Sequence, residues 1–298
     1  MTHIPPMPPQ GPRANGRLHL RFEDVTQDGR LVLESLPTAL GPTVWRAFLE
    51  NDPGVRACYA NGVFPILSRL VLEGTAGPFS ANGKVEAEGS YRLARAEDGR
   101  YMLEVWAELY APIGRTHLPP LEDTTRVLAG RVLGEHVFTR PFAPPGERRV
   151  TSLDFPGAPE FRETRPAPPS FESIVQVASA AEGGKPLEPA PRIDAVPIVF
   201  GLAHTDGNMH VNSLAYLRVF EEAALRRFVE LGRGSKVLCR HIDIAYRKPC
   251  FAGQTMRVTQ QVFEEEGKLG VAATLGPDPS GASSDARPNV YARMTFDS

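Results

Sequence analysis

Val196-Pro-Ile-Val-Phe200-Gly-Leu-Ala-His204-Thr-Asp206-Gly-Asn208-Met-His210-Val-Asn212 runs directly into Leu214, Leu217, Val219, Phe220, Ala223, Ala224, Leu225 and Phe228. Its first five residues are a short β-rich run, and the polar stretch from His204 to His210 reads as a loop. The apolar residues after it fall mostly at helical spacings, with Arg218, Glu221, Glu222, Arg226, Arg227 and Glu230 among the remaining positions. Gly232 and Gly234 stop that helix. Four runs enriched in β-branched or aromatic residues follow: Val237 to Tyr246, Thr255 to Phe263, Leu269 to Leu275 and Val290 to Phe296. The order is strand, helix, four strands.

A lone helix stripe and a lone sheet face each need a partner, and wrapping the sheet around the helix buries both. That is the α+β hotdog arrangement. The other half repeats the theme, with strands expected at Leu18 to Val25 and Leu31 to Leu36 and helical stretches at Thr43 to Glu50 and Gly62 to Leu72. Strands then dominate: Lys84 to Leu93, Tyr101 to Tyr110 and Val127 to Phe138, where Val105, Ala107 and Leu109 alternate with Trp106, Glu108 and Tyr110. The expectation is a tandem (double) hotdog fold, each repeat an antiparallel sheet wrapped around a central helix. Residues 1–15, with prolines at 5, 6, 8, 9 and 12, read as a disordered tail. Residues 16–141 read as an N-terminal degenerate repeat, the proline-dense stretch 142–191 as a linker, and 192–298 as the C-terminal catalytic repeat.

The length of 298 residues suits two units of moderate size, and 42% hydrophobic with 23% charged residues lets each bury a core. With a formal charge of −2 and its basic residues spread along the chain, the protein lacks the footprint of a nucleic-acid binder. Cys58, Cys239 and Cys250 form neither a CxxC pair nor an even disulfide framework, which points to a reducing, cytoplasmic setting. No apolar stretch is long enough for a membrane span, and the N-terminus lacks the apolar run of a signal peptide. No membrane association is expected.

The densest polar group, His204 to Asn212, sits immediately before the longest helix. A helix N-terminus presents unpaired N–H groups and the positive end of its dipole, where a developing oxyanion is stabilised. In a hydrolytic reading Asp206 orients or deprotonates a water, Asn208 holds the water or the acyl oxygen, and His210 transfers a proton or polarises. In the competing reading Asp206, Asn208 and Asn212 are only turn and cap residues, positions that Asp and Asn favour for structural reasons.

The segment Asp206-Gly-Asn208-Met-His210-Val-Asn212 resembles the Asp-x-Asn-x-His-Val-Asn-Asn loop of acyl-ACP thioesterases, and single-hotdog acyl-CoA thioesterases carry a related loop. Tyr216-Leu-Arg218-Val-Phe220-Glu-Glu222-Ala is similar to the start of their central helix, and Tyr246-Arg-Lys-Pro-Cys250 to their Tyr-Arg-Arg-Glu-Cys segment. The resemblance implies a tandem hotdog with catalytic residues Asp206, Asn208 and His210 in the C-terminal repeat, substrate-binding positions Val211, Asn212 and Cys250, no cofactor and no metal. Two departures stand out: Pro249 replaces the family's glutamate, and Ser213 its second asparagine. Cys250 is a nucleophile on one reading and a small buried hydrophobe on the other. Glu221 and Glu222 read as a solvated helix face paired with Arg218 and Arg226. Tyr59-Ala-Asn61-Gly62-Val is the expected N-terminal counterpart of the catalytic loop and offers neither carboxylate nor imidazole.

The expected activity is hydrolysis of a lipophilic acyl thioester, acyl-CoA or acyl carrier protein-bound, by activated water. Arg226, Arg227, Arg233, Lys236, Arg240, Arg247 and Lys248 suit either an acidic carrier or the phosphates of coenzyme A. Two rivals remain: a hotdog dehydratase or hydratase, whose histidine stands further from its aspartate than His210 does from Asp206, and a non-catalytic acyl-thioester binding protein. A homodimer through the hotdog repeats is compatible with either.

Overall fold

The computed structural model describes residues 4–118, 126–167, 184–278 and 287–297. The chain divides into two compact units, Met1–Pro168 and Pro169–Ser298.

Unit 1 contains strands β1 (Arg13–His19), β2 (Phe64–Gly74), β3 (Lys84–Ala96), β4 (Tyr101–Pro112), β5 (Arg126–Thr139) and a short β6 (Glu163–Arg165). They form an antiparallel sheet in the order β1-β3-β4-β5-β2, with β6 added parallel to β3. Across the inner face lies a broken helix: a 3₁₀ segment over Leu33–Ala39, then a π-helix over Gly41–Leu49. The break has a local cause, since Pro37 and Pro42 cannot donate backbone hydrogen bonds. Thr43 and Trp45 nevertheless dock on the sheet, at Gly89 and His136 respectively.

Unit 2 contains short strands β7 (Lys185–Pro186), β8 (Arg192–Ile193) and β9 (Ile198–Val199), which each pair with β11 (Thr255–Glu265). The sheet continues through β12 (Lys268–Pro277) and β13 (Val290–Asp297) to β10 (Leu238–Tyr246). This is the strand order of unit 1, with three short pieces in place of β1. The central helix is Ser213–Glu230, labelled α2 below. Tyr216, Leu217, Phe220, Ala223, Ala224 and Phe228 make its buried stripe. Phe228 meets Phe296 edge-on at 5.0 Å, and the buried Gln260 side chain donates to the Ala223 carbonyl at 2.9 Å. Burying a phenylalanine contributes roughly 1.5–3 kcal/mol, so Phe220 and Phe228 are principal anchors. Gly232, at φ +69°, lets the chain turn out of the helix.

Each unit is thus a sheet wrapped on a helix, the tandem hotdog expected from the sequence. Several local expectations for the first half need correction. Gly62 to Leu72 is not helical: Phe64–Gly74 is β2, bulged between Leu67 and Arg69. A continuous apolar run satisfies both periods, and here Leu70 and Leu72 face the core while Arg69 reaches Glu135 from the other side. Leu31 to Leu36 is not a strand, because it opens the central helical segment. The first strand spans Arg13–His19 rather than Leu18 to Val25. A helix α1 (Pro53–Ala60) went unanticipated, although Asp52 caps it by accepting the Val55 N–H at 2.8 Å and Pro53 opens it.

Within the stretch expected to be a tail, Ile4 and Met7 are buried with Val71, Trp106 and Leu133 on the outer face of the unit 1 sheet. Within 142–191, Arg165 pairs with the buried Glu104 and Glu135, and Arg92 reaches Glu104 at 2.6 Å. Further on, Glu188 is buried and pairs with Arg227 of α2. The described parts of these proline-rich stretches therefore cover or brace a sheet through these apolar and charged residues. Residues 1–3 and 168–183 of the expected tail and linker lie outside the described residues. No helix among the described residues is long and apolar enough to cross a membrane.

Candidate active site

Phe200 is fully buried and closes a small ladder with the Gln254 region, and Leu202–His204 then forms one 3₁₀ turn. The His204 imidazole caps that turn, its Nδ1 accepting the Gly201 N–H at 3.0 Å. A hairpin follows, closed by the bridge between Thr205 and Val211. Inside it the Asp206 N–H donates to the His210 carbonyl at 3.1 Å, and the Met209 N–H donates to the Asp206 carbonyl at 3.0 Å. Met209 takes the left-handed conformation, φ +63°, and is 82% exposed. The sharp turn brings Asp206 and His210 side by side.

His210 Nδ1 lies 3.9 Å from Asp206 Oδ1. That exceeds a hydrogen bond, so the carboxylate and the imidazole face each other without bonding directly. Oδ1 of Asp206 also accepts the Asn208 N–H at 2.8 Å, which fixes the carboxylate's orientation. The buried Nδ1 of His210 has no hydrogen-bond partner among the described residues. Asn208 is exposed at the hairpin tip. Asp206, Asn208 and His210 thus stand on one five-residue hairpin that carries a carboxylate, an amide and an imidazole.

The other three sequence-derived positions form the base of this hairpin. Asn212 caps α2, its Oδ1 accepting the Leu214 N–H at 2.8 Å, so the cap reading describes that side chain. Val211 is buried and its N–H donates to the Cys250 carbonyl at 2.8 Å. Cys250 is fully buried as well: its N–H donates to Tyr216 Oη at 3.0 Å, and Asn289 Nδ2 stands 3.5 Å from its sulfur. Burial pushes the Cys250 thiol above its ordinary range, although Tyr216 and Asn289 pull the other way. Burial likewise pushes the Tyr216 phenol up. Neither Tyr216 nor Asn289 stands out in the sequence; a tyrosine in an otherwise apolar helix stripe was the available signal.

The helix charges resolve unevenly. Glu222 is exposed and 4.0 Å from Arg226, as a solvated face requires. Arg226 bonds the buried Asp194, Arg227 the buried Glu188, and the buried Arg240 lies 3.5 Å from Asp297. Those three cations serve the fold. Arg233, Lys236 and Lys248 are exposed.

Unit 1 carries the same loop, and not where the sequence suggested. Phe22–Asp24 forms a 3₁₀ turn, Val25 bridges Leu31, the Thr26 N–H donates to the Arg30 carbonyl at 2.9 Å, and Gly29 at φ +86° occupies the place of Met209. Thr26, Asp28 and Arg30 stand where Asp206, Asn208 and His210 stand in unit 2. Tyr59 to Val63 is instead the exit of α1 toward β2. In the unit 1 loop the Thr26 hydroxyl and Arg30 bond Asp28 and lower its carboxyl to about 2. That loop is a closed ion pair without an imidazole. A surface cavity of about 560 Å³ in unit 1, lined by Asn15, Arg17, Glu86, Glu88 and Tyr110, contains none of the hairpin residues, and its glutamates pair with Arg13 and Arg126.

Compared by sequence, the chain matches no family model and none of the curated proteins. Compared by structure, it is similar to a protein provisionally described as an oleoyl thioesterase of Lactobacillus plantarum, with a TM-score of 0.62, 14% identity, and 97% of this chain and 96% of that one covered. It is similar to an acyl-ACP thioesterase of Bacteroides thetaiotaomicron at a TM-score of 0.57 and 14% identity, covering 96% and 98%. A 12:0-ACP thioesterase of Umbellularia californica aligns at a TM-score of 0.55 and 10% identity, covering 96% and 97%. Along nearly its whole length, this chain has the tandem hotdog fold of these thioesterase structures.

Proposed function

We propose that unit 2 hydrolyses a lipophilic acyl thioester, bound to coenzyme A or to an acyl carrier protein, with Asp206, Asn208 and His210 as catalytic residues. The observation that carries this reading is the hairpin itself: carboxylate and imidazole 3.9 Å apart, with the exposed Asn208 at the tip of the same turn, on a fold shared with three thioesterase structures. Unit 1 builds the same hairpin with Thr26, Asp28 and Arg30, so backbone geometry alone does not require the Asp–Asn–His set.

In this mechanism a water sits between Asp206 and His210. Its proton passes to Asp206 as its oxygen bonds the acyl carbon, and Asn208 donates to the resulting oxyanion. Collapse breaks the C–S bond, and the thiolate takes up the proton, leaving free acid and thiol. Pro249 stands where the similar segment of acyl-ACP thioesterases carries a glutamate, which supports Asp206 as the base in this reading. Val211, Asn212 and Cys250 form the base of the substrate site, and exposed Lys248, Arg233 and Lys236 serve the carrier or the coenzyme A phosphates.

Free-thiol release from a panel of acyl-CoA and acyl-ACP thioesters tests this. Turnover by the wild type, with a loss of at least about a hundredfold in Asn208→Ala and His210→Ala, supports it. Thioester binding without thiol release makes the chain a binding protein, and loss of water from a 3-hydroxyacyl thioester makes it a dehydratase.

A further inference from the structure

Cys250 is the point where three elements of unit 2 meet. Its carbonyl takes the Val211 N–H at 2.8 Å, its N–H donates to Tyr216 Oη on α2 at 3.0 Å, and its sulfur receives Asn289 Nδ2 at 3.5 Å from the residue just before β13. Asn289 also donates to the Pro249 carbonyl at 3.1 Å. Val211 is the last residue of the hairpin and directly follows His210. A shift of the Pro249-Cys250 segment is therefore passed through one hydrogen bond to the imidazole.

The duplication in the fold supplies an internal control. Counted from the bridge, Tyr216 corresponds to Leu36 of unit 1. Cys250 and Phe79 each stand five positions before the second long strand of their unit, each follows a proline, and each bonds the loop, Phe79 N–H to the Gly29 carbonyl at 2.6 Å. Leu36 and Phe79 are both fully buried. The fold therefore accepts an apolar pair at these places, and a polar pair occurs in the unit that carries the carboxylate, amide and imidazole. In unit 1 the Phe79 N–H goes directly to a loop carbonyl, whereas in unit 2 the Cys250 N–H is taken by the Tyr216 hydroxyl, so the side-chain link is particular to the unit with the carboxylate and imidazole.

From this juxtaposition we infer that Tyr216 is a positioning residue: through the Cys250 backbone, with Asn289 steadying the segment, it holds Val211 and sets the place of His210 opposite Asp206. The sulfur of Cys250 is an acceptor in this arrangement and forms no bond with the acyl group. The kinetic consequence rests on the thioesterase reading; the structural one does not.

The test uses the full chain with Tyr216→Phe and Cys250→Ala, read by amide exchange at Val211, the NMR signals of the His210 ring, and kcat and KM separately. Tyr216→Phe should speed exchange at Val211 about fivefold or more with Leu31 unchanged, shift the His210 ring signals, and lower kcat about tenfold with KM within about twofold. Cys250→Ala, which keeps both backbone bonds, should leave Val211 exchange within about threefold of wild type and the His210 ring signals in place. If Tyr216→Phe does not fold, Asn289→Ala, which leaves α2 whole, is read the same way with the same expected directions. Wild-type exchange at Val211 and unmoved His210 signals overturn the inference, as does a rise in KM at constant kcat. A hundredfold loss in Cys250→Ala overturns it in favour of a sulfur nucleophile. If the wild type releases thiol from no thioester, the functional reading falls alone, and Val211 exchange with the His210 signals still decides the positioning role.

Discussion

Asp206 and His210 are partners twice over: the Asp206 N–H donates to the His210 carbonyl at 3.1 Å, and their side chains face each other at 3.9 Å. The backbone link makes the side-chain geometry a property of the turn. Asp206→Asn retains an oxygen for the Asn208 N–H and removes only charge, so it should lower thiol release about a hundredfold while changing unfolding free energy by less than about 1 kcal/mol. Asp206→Ala should lose activity equally and cost about 1 kcal/mol more in urea unfolding, because the turn bond goes too.

Met209 and Gly29 occupy the same turn position at φ +63° and +86°, and opposite substitutions there should have opposite signs. Met209→Gly relieves a left-handed strain of roughly 1–2 kcal/mol against an entropy cost of about 0.5–1 kcal/mol, so stability should hold or rise slightly. Gly29→Ala should destabilise by about 2 kcal/mol or more, since its Cβ would stand 2.5 Å from Pro78 Cβ as well as in a strained backbone. Paired denaturation curves check both.

His136 is buried in unit 1 against the edge of Trp45, and burial lowers its pKa to about 4. The folded protein therefore resists a proton that the unfolded chain accepts near pH 6.5, so this contribution is complete above that pH and is lost as pH falls toward 4. Between pH 7.5 and 5 it amounts to about 2 kcal/mol. His136→Leu should show a correspondingly smaller loss of stability over that interval; an equal loss in both proteins would assign the effect to other groups.

All three cysteines are buried, and burial raises each thiol, Cys58 to about 11. Thiolate is then scarce at neutral pH. The native protein should react with thiol reagents at least about tenfold more slowly than the urea-unfolded chain, and brief treatment should leave thioester turnover unchanged. Rapid inactivation that tracks labelling of Cys250 would contradict this.

The second half was legible because its signals agree: the helix stripe of Leu217, Phe220, Ala224 and Phe228 has one period, Gly232 ends it, and four runs rich in β-branched or aromatic residues follow. In the first half the corresponding helix is split by Pro37 and Pro42, so its period is lost, and the apolar run at Ile66 to Leu72 satisfies helix and strand alike. The loop of unit 1 leaves no signal in the sequence for a similar reason: Thr26, Asp28 and Arg30 share the fold of Asp206, Asn208 and His210 but none of their residue types. Within the candidate site, the polar stretch His204 to Asn212 is local in sequence, whereas the bonds of Tyr216 and Asn289 to Cys250 join distant segments and leave no local pattern.

The most direct test is turnover in ¹⁸O-labelled water by wild type, Cys250→Ala and His210→Ala, with thiol and acid counted together. Wild type and Cys250→Ala should yield free acid bearing one ¹⁸O in its carboxylate and an equal amount of thiol, and His210→Ala at least about a hundredfold less of both. Intact thioester with the wild type, or equal turnover by His210→Ala, would contradict water activation at the Asp206–His210 hairpin.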